Sequence, residues 1–91
     1  MDNYEQAALD ALAEVRRARQ LYPLGFNTAH EGFAVLLEEV DELKAHVWMQ
    51  QSKRDYASMR KEAVQVAAMA LAFIVEACEP KGFEIGESTP H

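Results

Sequence analysis

The sequence predicts an all-α fold: an antiparallel helical bundle of about three helices per chain, completed by homo-oligomerisation. Three observations predict it. Three long stretches combine helix-forming composition with apolar residues that recur every three to four positions. Proline, glycine and capping residues separate those stretches. The last stretch runs from Ala63 to Val75 with one polar side chain, Gln65. A helix that is apolar all round is buried all round. Two neighbouring helices cannot cover it, so a second copy of the chain is expected to. Ninety-one residues make a single domain, 1–91, and a core this small is marginal unless it is shared.

The first helix is expected over residues 4–20. Leu9, Leu12, Val15, Arg16 and Arg19 recur at helical spacing, and five alanines between residues 7 and 18 support propensity. Tyr22-Pro23-Leu24-Gly25 ends it, because proline cannot continue a helix and glycine suits a turn. Leu24 and Phe26 are expected to plug the end of the core. Thr28 and Glu31 have the spacing of a capping box, which opens a second helix over 29–51. Its apolar face is expected to be Phe33, Leu36, Leu37, Val40, Leu43, Val47 and Trp48, with an acidic sector opposite. Ser52 is expected to cap a third helix over 53–78, with Asp55 three residues on. Glu79-Pro80-Lys81-Gly82 stops that helix, and residues 80–91 read as a loose tail.

Composition narrows the function classes. Hydrophobic residues make up 49% of the chain, too many for a disordered protein. The net charge of −6 argues against nucleic acid as an electrostatic partner, although a single nucleotide held through a metal remains compatible with it. The single cysteine, Cys78, excludes an internal disulfide and fits a reducing compartment. No apolar segment reaches the ~18 residues of a membrane span, and the N-terminus is acidic, unlike a signal peptide. A soluble, cytoplasmic protein with no membrane partner is expected.

The acidic sector carries the chemistry. Glu31, Glu38, Glu39, Glu42 and His46 fall within roughly 100° of helix surface at about 100° per residue, and no Lys or Arg joins them. Like charges three or four residues apart destabilise a helix by ~0.2–0.5 kcal/mol per pair. A divalent cation is an economical counter-charge, because hard cations take carboxylate oxygens. Glu62 and Gln65 follow on the third helix after nineteen intervening residues, enough for two antiparallel helices to face each other. Oxygen-only coordination suits Mg²⁺ or Mn²⁺.

These residues carry a resemblance. Glu38-Glu39-Val40-Asp41-Glu42 followed by Glu62-Ala63-Val64-Gln65 resembles the all-α nucleoside triphosphate pyrophosphohydrolases of the MazG-like superfamily, which includes the dimeric dUTPases. Their pattern is Glu-Glu-x-x-Glu on one helix and Glu-x-x-Asp on the next. The resemblance covers residues ~30 to 76, and His30-Glu31-Gly32-Phe33 resembles small phage and bacterial members. It implies Mg²⁺ held by Glu39, Glu42, Glu62 and Gln65, with Glu38 as a further ligand or an activator of the attacking water. It implies a nucleoside triphosphate substrate, a monophosphate and pyrophosphate as products, and a homodimer or tetramer. Lys53, Arg54, Arg60 and Lys61 would hold phosphates, Trp48 would stack on a base, and His30 would join the substrate site. Gln65 departs from the aspartate of the pattern and supplies one negative charge fewer.

Each feature also has a plain structural reading. The acidic cluster is then a solvated helix face, and Gln65 a buried amide bonded across an interface. His30 is a surface residue, and the four cations form a solvated face or pair with Asp55 and the acidic helix. Trp48 packs in the core, Met49, Met59 and Met69 are core or interface filler, and Cys78 is a small buried hydrophobe. The corresponding functional alternative is a catalytically inactive helical oligomer acting as an adaptor. A carboxylate-bridged redox metal site is disfavoured, since neither helix has a Glu-x-x-His pair.

Overall fold

The computed structural model describes residues 1–79. The chain forms three helices: α1 (Asn3–Leu21), α2 (Ala29–Val47) and α3 (Tyr56–Phe73). A 3₁₀ turn at Gln51–Lys53 precedes α3, and a π turn at Ile74–Cys78 prolongs it. The all-helical expectation holds among the described residues. The expected tail, 80–91, lies outside them. Among the described residues, no helix is long and apolar enough to cross a membrane.

Each start has a chemical cause. Asp2 caps α1 by accepting from the Glu5 N–H at 2.7 Å, while the Glu5 carboxylate accepts from the Asp2 N–H at 3.0 Å. Thr28 caps α2 through the Glu31 N–H at 3.0 Å. Glu31 does reach back, but to the backbone and side-chain amides of Asn27, both at 3.2 Å. The second connection differs from the sequence expectation. α2 stops at Val47, and the Arg54 guanidinium donates to the Val47 carbonyl at 2.8 Å, satisfying one of the groups a helix end leaves open. The cap of α3 is Asp55, not Ser52. Its carboxylate accepts from the Ala57 and Ser58 N–H groups and from the Ser58 hydroxyl. An aspartate that reaches two backbone donors outcompetes a serine three residues earlier.

The helices run up, down, up. Asp10 of α1 pairs with Arg60 near the start of α3, and Arg19 of α1 pairs with Glu76 beyond its end, so α1 and α3 are parallel. Gly32 near the start of α2 lies against Phe73 at the end of α3, so α2 and α3 are antiparallel. Both α1 and α2 pack on α3, with no close backbone approach between α1 and α2. The central helix therefore has an outer helix on each side, and a groove stays open between those outer helices.

The core is small: Phe26, Ala68, Met69 and Ala72, with Val15, Ala18, Val35, Leu36 and Phe73 packed around them. Phe26 plugs the core as expected, but Leu24 is 91% exposed. Gly25, at φ +70°, turns the chain so that Phe26 enters and Leu24 leaves. The Phe26 N–H donates to Glu76 at 3.0 Å, and Glu76 accepts two bonds from Arg19 at 2.6 and 2.7 Å. The Arg19 guanidinium also lies 5.0 Å from the Phe26 ring centre. This clamp ties α1, the first loop and the π turn together.

The apolar face of α2 is the largest correction. Gly32, Val35, Leu36, Glu39, Leu43, His46 and Val47 form the covered stripe, so Leu36, Leu43 and Val47 are covered as expected. Phe33, Leu37 and Val40 are 58%, 45% and 39% exposed. Placing Gly32 against the Phe26 and Phe73 rings rotates α2, turning those apolar residues outward and Glu39 toward α3. Cys78 and Trp48 are exposed too, so neither packs in the core, and Met49 is 43% exposed and lies outside the core of this chain.

Gly32 offers a test of this packing. A Cβ there would lie 2.9 Å from both the Phe26 and Phe73 rings. Gly32→Ala gains about 1 kcal/mol of helix propensity but overpacks a core, at about 1–3 kcal/mol. Thermal denaturation of the variant should show a net loss of stability. A raised melting temperature would mean the rings do not close on this position.

Candidate metal centre

Three carboxylates meet where α2 crosses α3. Glu39 and Glu42 are one turn apart on α2, and Glu62 comes from the antiparallel α3. One oxygen from each can be chosen so that all three lie within 4.8 Å of one another. Glu39 and Glu62 are half-buried in the seam, and Glu42 sits at its edge. Glu38, one residue earlier on the helix, is exposed, and its charge still reaches Glu39.

The electrostatics of the seam are those of crowded like charges. The Glu39 carboxyl is pushed up from its ordinary 4.5 to about 7. Burial against α3 is the main cause, followed by the Glu42 charge, a hydrogen bond with Glu42, and the charges of Glu62 and Glu38. The Glu39 carboxyl therefore exchanges its proton close to neutral pH.

The other expected site residues scatter. Gln65 is one turn beyond Glu62, and its amide faces Glu14 of α1, helping to hold that carboxyl below its ordinary value after the larger effect of Arg17. Arg60 is engaged by Asp10 at 2.7 Å, and Arg54 by the end of α2. Lys53 is exposed in the 3₁₀ turn. Lys61 is exposed on α3, near enough for its charge to act on Glu14. Trp48 is 74% exposed, with the Lys44 ammonium 5.6 Å from its ring centre. His30 lines a shallow hollow with Phe33 and Phe73, nine residues and about 13 Å along the helix from Glu39. His46 lies on the covered stripe, with its Nδ1 buried and unpaired.

A cleft of about 370 Å³ opens beside the carboxylates, in the groove between α1 and α2. Phe26, Val35 and Met69 are among its apolar lining, Glu14, Arg17, Arg19, Glu31 and Gln65 among its polar lining, and Glu39 belongs to both cleft and cluster. Sequence reasoning missed the contribution of α1. Glu14 interrupts the stripe of Ala11, Val15 and Ala18, and a carboxylate on the covered side of a helix was the available signal.

The Glu39 carboxyl fixes a pH dependence. Its proton affinity is higher folded than unfolded, so its contribution to stability is complete below about pH 4.5 and disappears as pH rises through about 7. Without divalent cations, the melting temperature should fall between pH 5 and pH 8. Glu39→Gln should flatten that fall. An equal slope in the variant would place the titrating group elsewhere.

No protein-family model matches the chain, and neither a curated protein nor a solved structure matches it.

Proposed function

We propose that this protein is a Mg²⁺-dependent nucleotide pyrophosphohydrolase that cleaves a nucleoside triphosphate to the monophosphate and pyrophosphate. The observation that carries the reading is the convergence of Glu39, Glu42 and Glu62 from two helices within 4.8 Å. The donor set fits the ion: oxygen-only, anionic, and drawn from both walls of one seam. The raised Glu39 carboxyl supports it, because a bound cation relieves the repulsion that a shared proton otherwise relieves. The motif resemblance supplies the reaction class. Gln65 is directed to Glu14, so the ion set carried forward is the three glutamates.

When bound, a divalent cation would draw in the phosphate oxygens, offset developing charge and lower the pKa of a coordinated water. The chain's own groups do the rest. Glu39, Glu42 and Glu62 would hold the cation, since carboxylates alone repel phosphate oxygens. Glu38, exposed on the flank, accepts a proton from the attacking water. Cleavage between the α- and β-phosphates releases pyrophosphate. Lys61, exposed on α3 and next to Glu62 in the sequence, would be available to meet a phosphate. The exposed Phe33, Leu37, Val40, Ile74 and Val75 support a homodimer or tetramer that would cover them.

One observation favours a second reading. Arg54 and Arg60, expected on phosphates, are committed to structural partners, as an inactive helical oligomer acting as an adaptor would have them. The two readings part in one assay. Incubation with each (d)NTP and Mg²⁺ should release pyrophosphate, and Glu62→Gln should reduce the rate by about 100-fold or more, given the worth of metal-assisted charge stabilisation. No release from any nucleotide would leave the adaptor.

A further inference from the structure

A second groove lies between α1 and α3, on the other side of α1 from the cleft. At about 100° per residue, Leu12, Val15 and Arg16 fall opposite Glu14, Arg17 and Ala18. The groove measures about 280 Å³, and Leu12, Val15, Leu71 and Val75 give it an apolar lining. Val75 is 58% exposed and Leu71 37%. Arg16 also lines it and is itself exposed. Arg17, Arg19, Arg54 and Arg60 all have partners. Arg16 has no hydrogen bond or ion pair among the described residues. An apolar trough with an unengaged cation at its edge fits an apolar segment that carries a carboxylate.

The chain supplies such a segment where the groove ends. The π turn that prolongs α3 finishes at Cys78, just past Val75. Glu79-Pro80-Lys81-Gly82 follows. Proline second and glycine fourth are the preferences of a type I turn, which reverses the chain. Then comes Phe83-Glu84-Ile85. In extended chain, alternate side chains share a face, so Phe83 and Ile85 would point one way and Glu84 the other. Strand residues advance about 3.3 Å each and helix residues about 1.5 Å. Counted back from Gly82 opposite Glu79, Phe83 comes just beyond the level of Val75, and Ile85 comes level with Leu71 and Ala72. Glu84 falls between them. That is close to the level of Arg16, since Arg19, one turn further along α1, pairs with Glu76.

We infer that residues 83–85 fold back into the groove between α1 and α3 of their own chain, with Phe83 and Ile85 seated on Leu12, Val15, Leu71 and Val75, and Glu84 accepting from Arg16. The segment acts as a strap that ties α1 to α3 on the side the cleft does not use. It covers Val75 and leaves Phe33, Leu37 and Val40 of α2 to a second copy. It stands apart from the nucleotide reading, and neither depends on the other.

The test is trypsin cleavage after Lys81 in the full chain, followed by mass spectrometry, with a synthetic peptide of residues 77–86 as the unprotected reference. The wild-type bond should be cut about tenfold or more slower than the same bond in the peptide, because cleavage tracks the undocked population. Phe83→Ser lies outside the three helices and should cut that protection to about threefold or less. Val75→Asp, at an exposed position, should do the same, with the helices intact by circular dichroism. The double variant should be cut no faster than the faster single variant, because both substitutions remove one contact. Equal cutting of wild-type chain and peptide overturns the strap. Protection that survives Phe83→Ser overturns it too, as does a double variant cut faster than both single ones, which would seat Phe83 elsewhere. Protection that grows with chain concentration assigns the groove to a second copy and overturns docking within one chain.

Discussion

Three carboxylates crowded into a seam between two helices are the constraint from which the rest of the arrangement follows. Burial of Glu39 in that seam, and then the charges of Glu42 and Glu62 beside it, raise its carboxyl to about 7. The arginines do not relieve it. Arg17 goes to Glu14, Arg19 to Glu76, Arg60 to Asp10 and Arg54 to the end of α2. Each of those pairs stabilises the scaffold and leaves the seam negative. Packing places the glutamates there, and burial with the neighbouring charges raises the proton affinity of Glu39.

The packing in question is the work of α3. It carries one face for α1 and another for α2, and α1 and α2 have no close backbone contact with each other. Gly32 allows α2 to sit closely on Phe26 and Phe73. That contact fixes the rotation of α2, which turns Glu39 inward and Phe33, Leu37 and Val40 outward. The inward carboxylate and the outward apolar residues are one event. The Arg19–Glu76–Phe26 clamp holds the same end of the groove from the α1 side, using the π turn to aim Glu76 back across the bundle.

Much of this was legible in the residues. The helices and the break at Pro23 and Gly25 follow from propensity and turn chemistry, which act locally. The convergence of Glu39, Glu42 and Glu62 was legible because spacing on two antiparallel helices is nearly geometric. The face of α2 was not. Phe33, Leu37 and Val40 read as core because apolar residues usually are, while the deciding residue was a glycine whose value lies in what it lets approach. Ser52 and Asp55 both read as capping residues, and only the path of the connection selects between them. Glu14 carried one signal, a carboxylate among the covered Ala11, Val15 and Ala18, but its neighbour Gln65 lies 51 positions away, so its partner in the cleft was not legible.

The central claim is that the seam holds a divalent cation, and calorimetric titration with Mn²⁺ at pH 7.5 tests it most directly. The account predicts one saturable site per chain, with proton release on binding as Glu39 gives up its proton. It predicts loss of that site in Glu62→Gln, whose fold should be intact by circular dichroism. Absence of binding in the wild-type chain, or equal binding after Glu62→Gln, would contradict it.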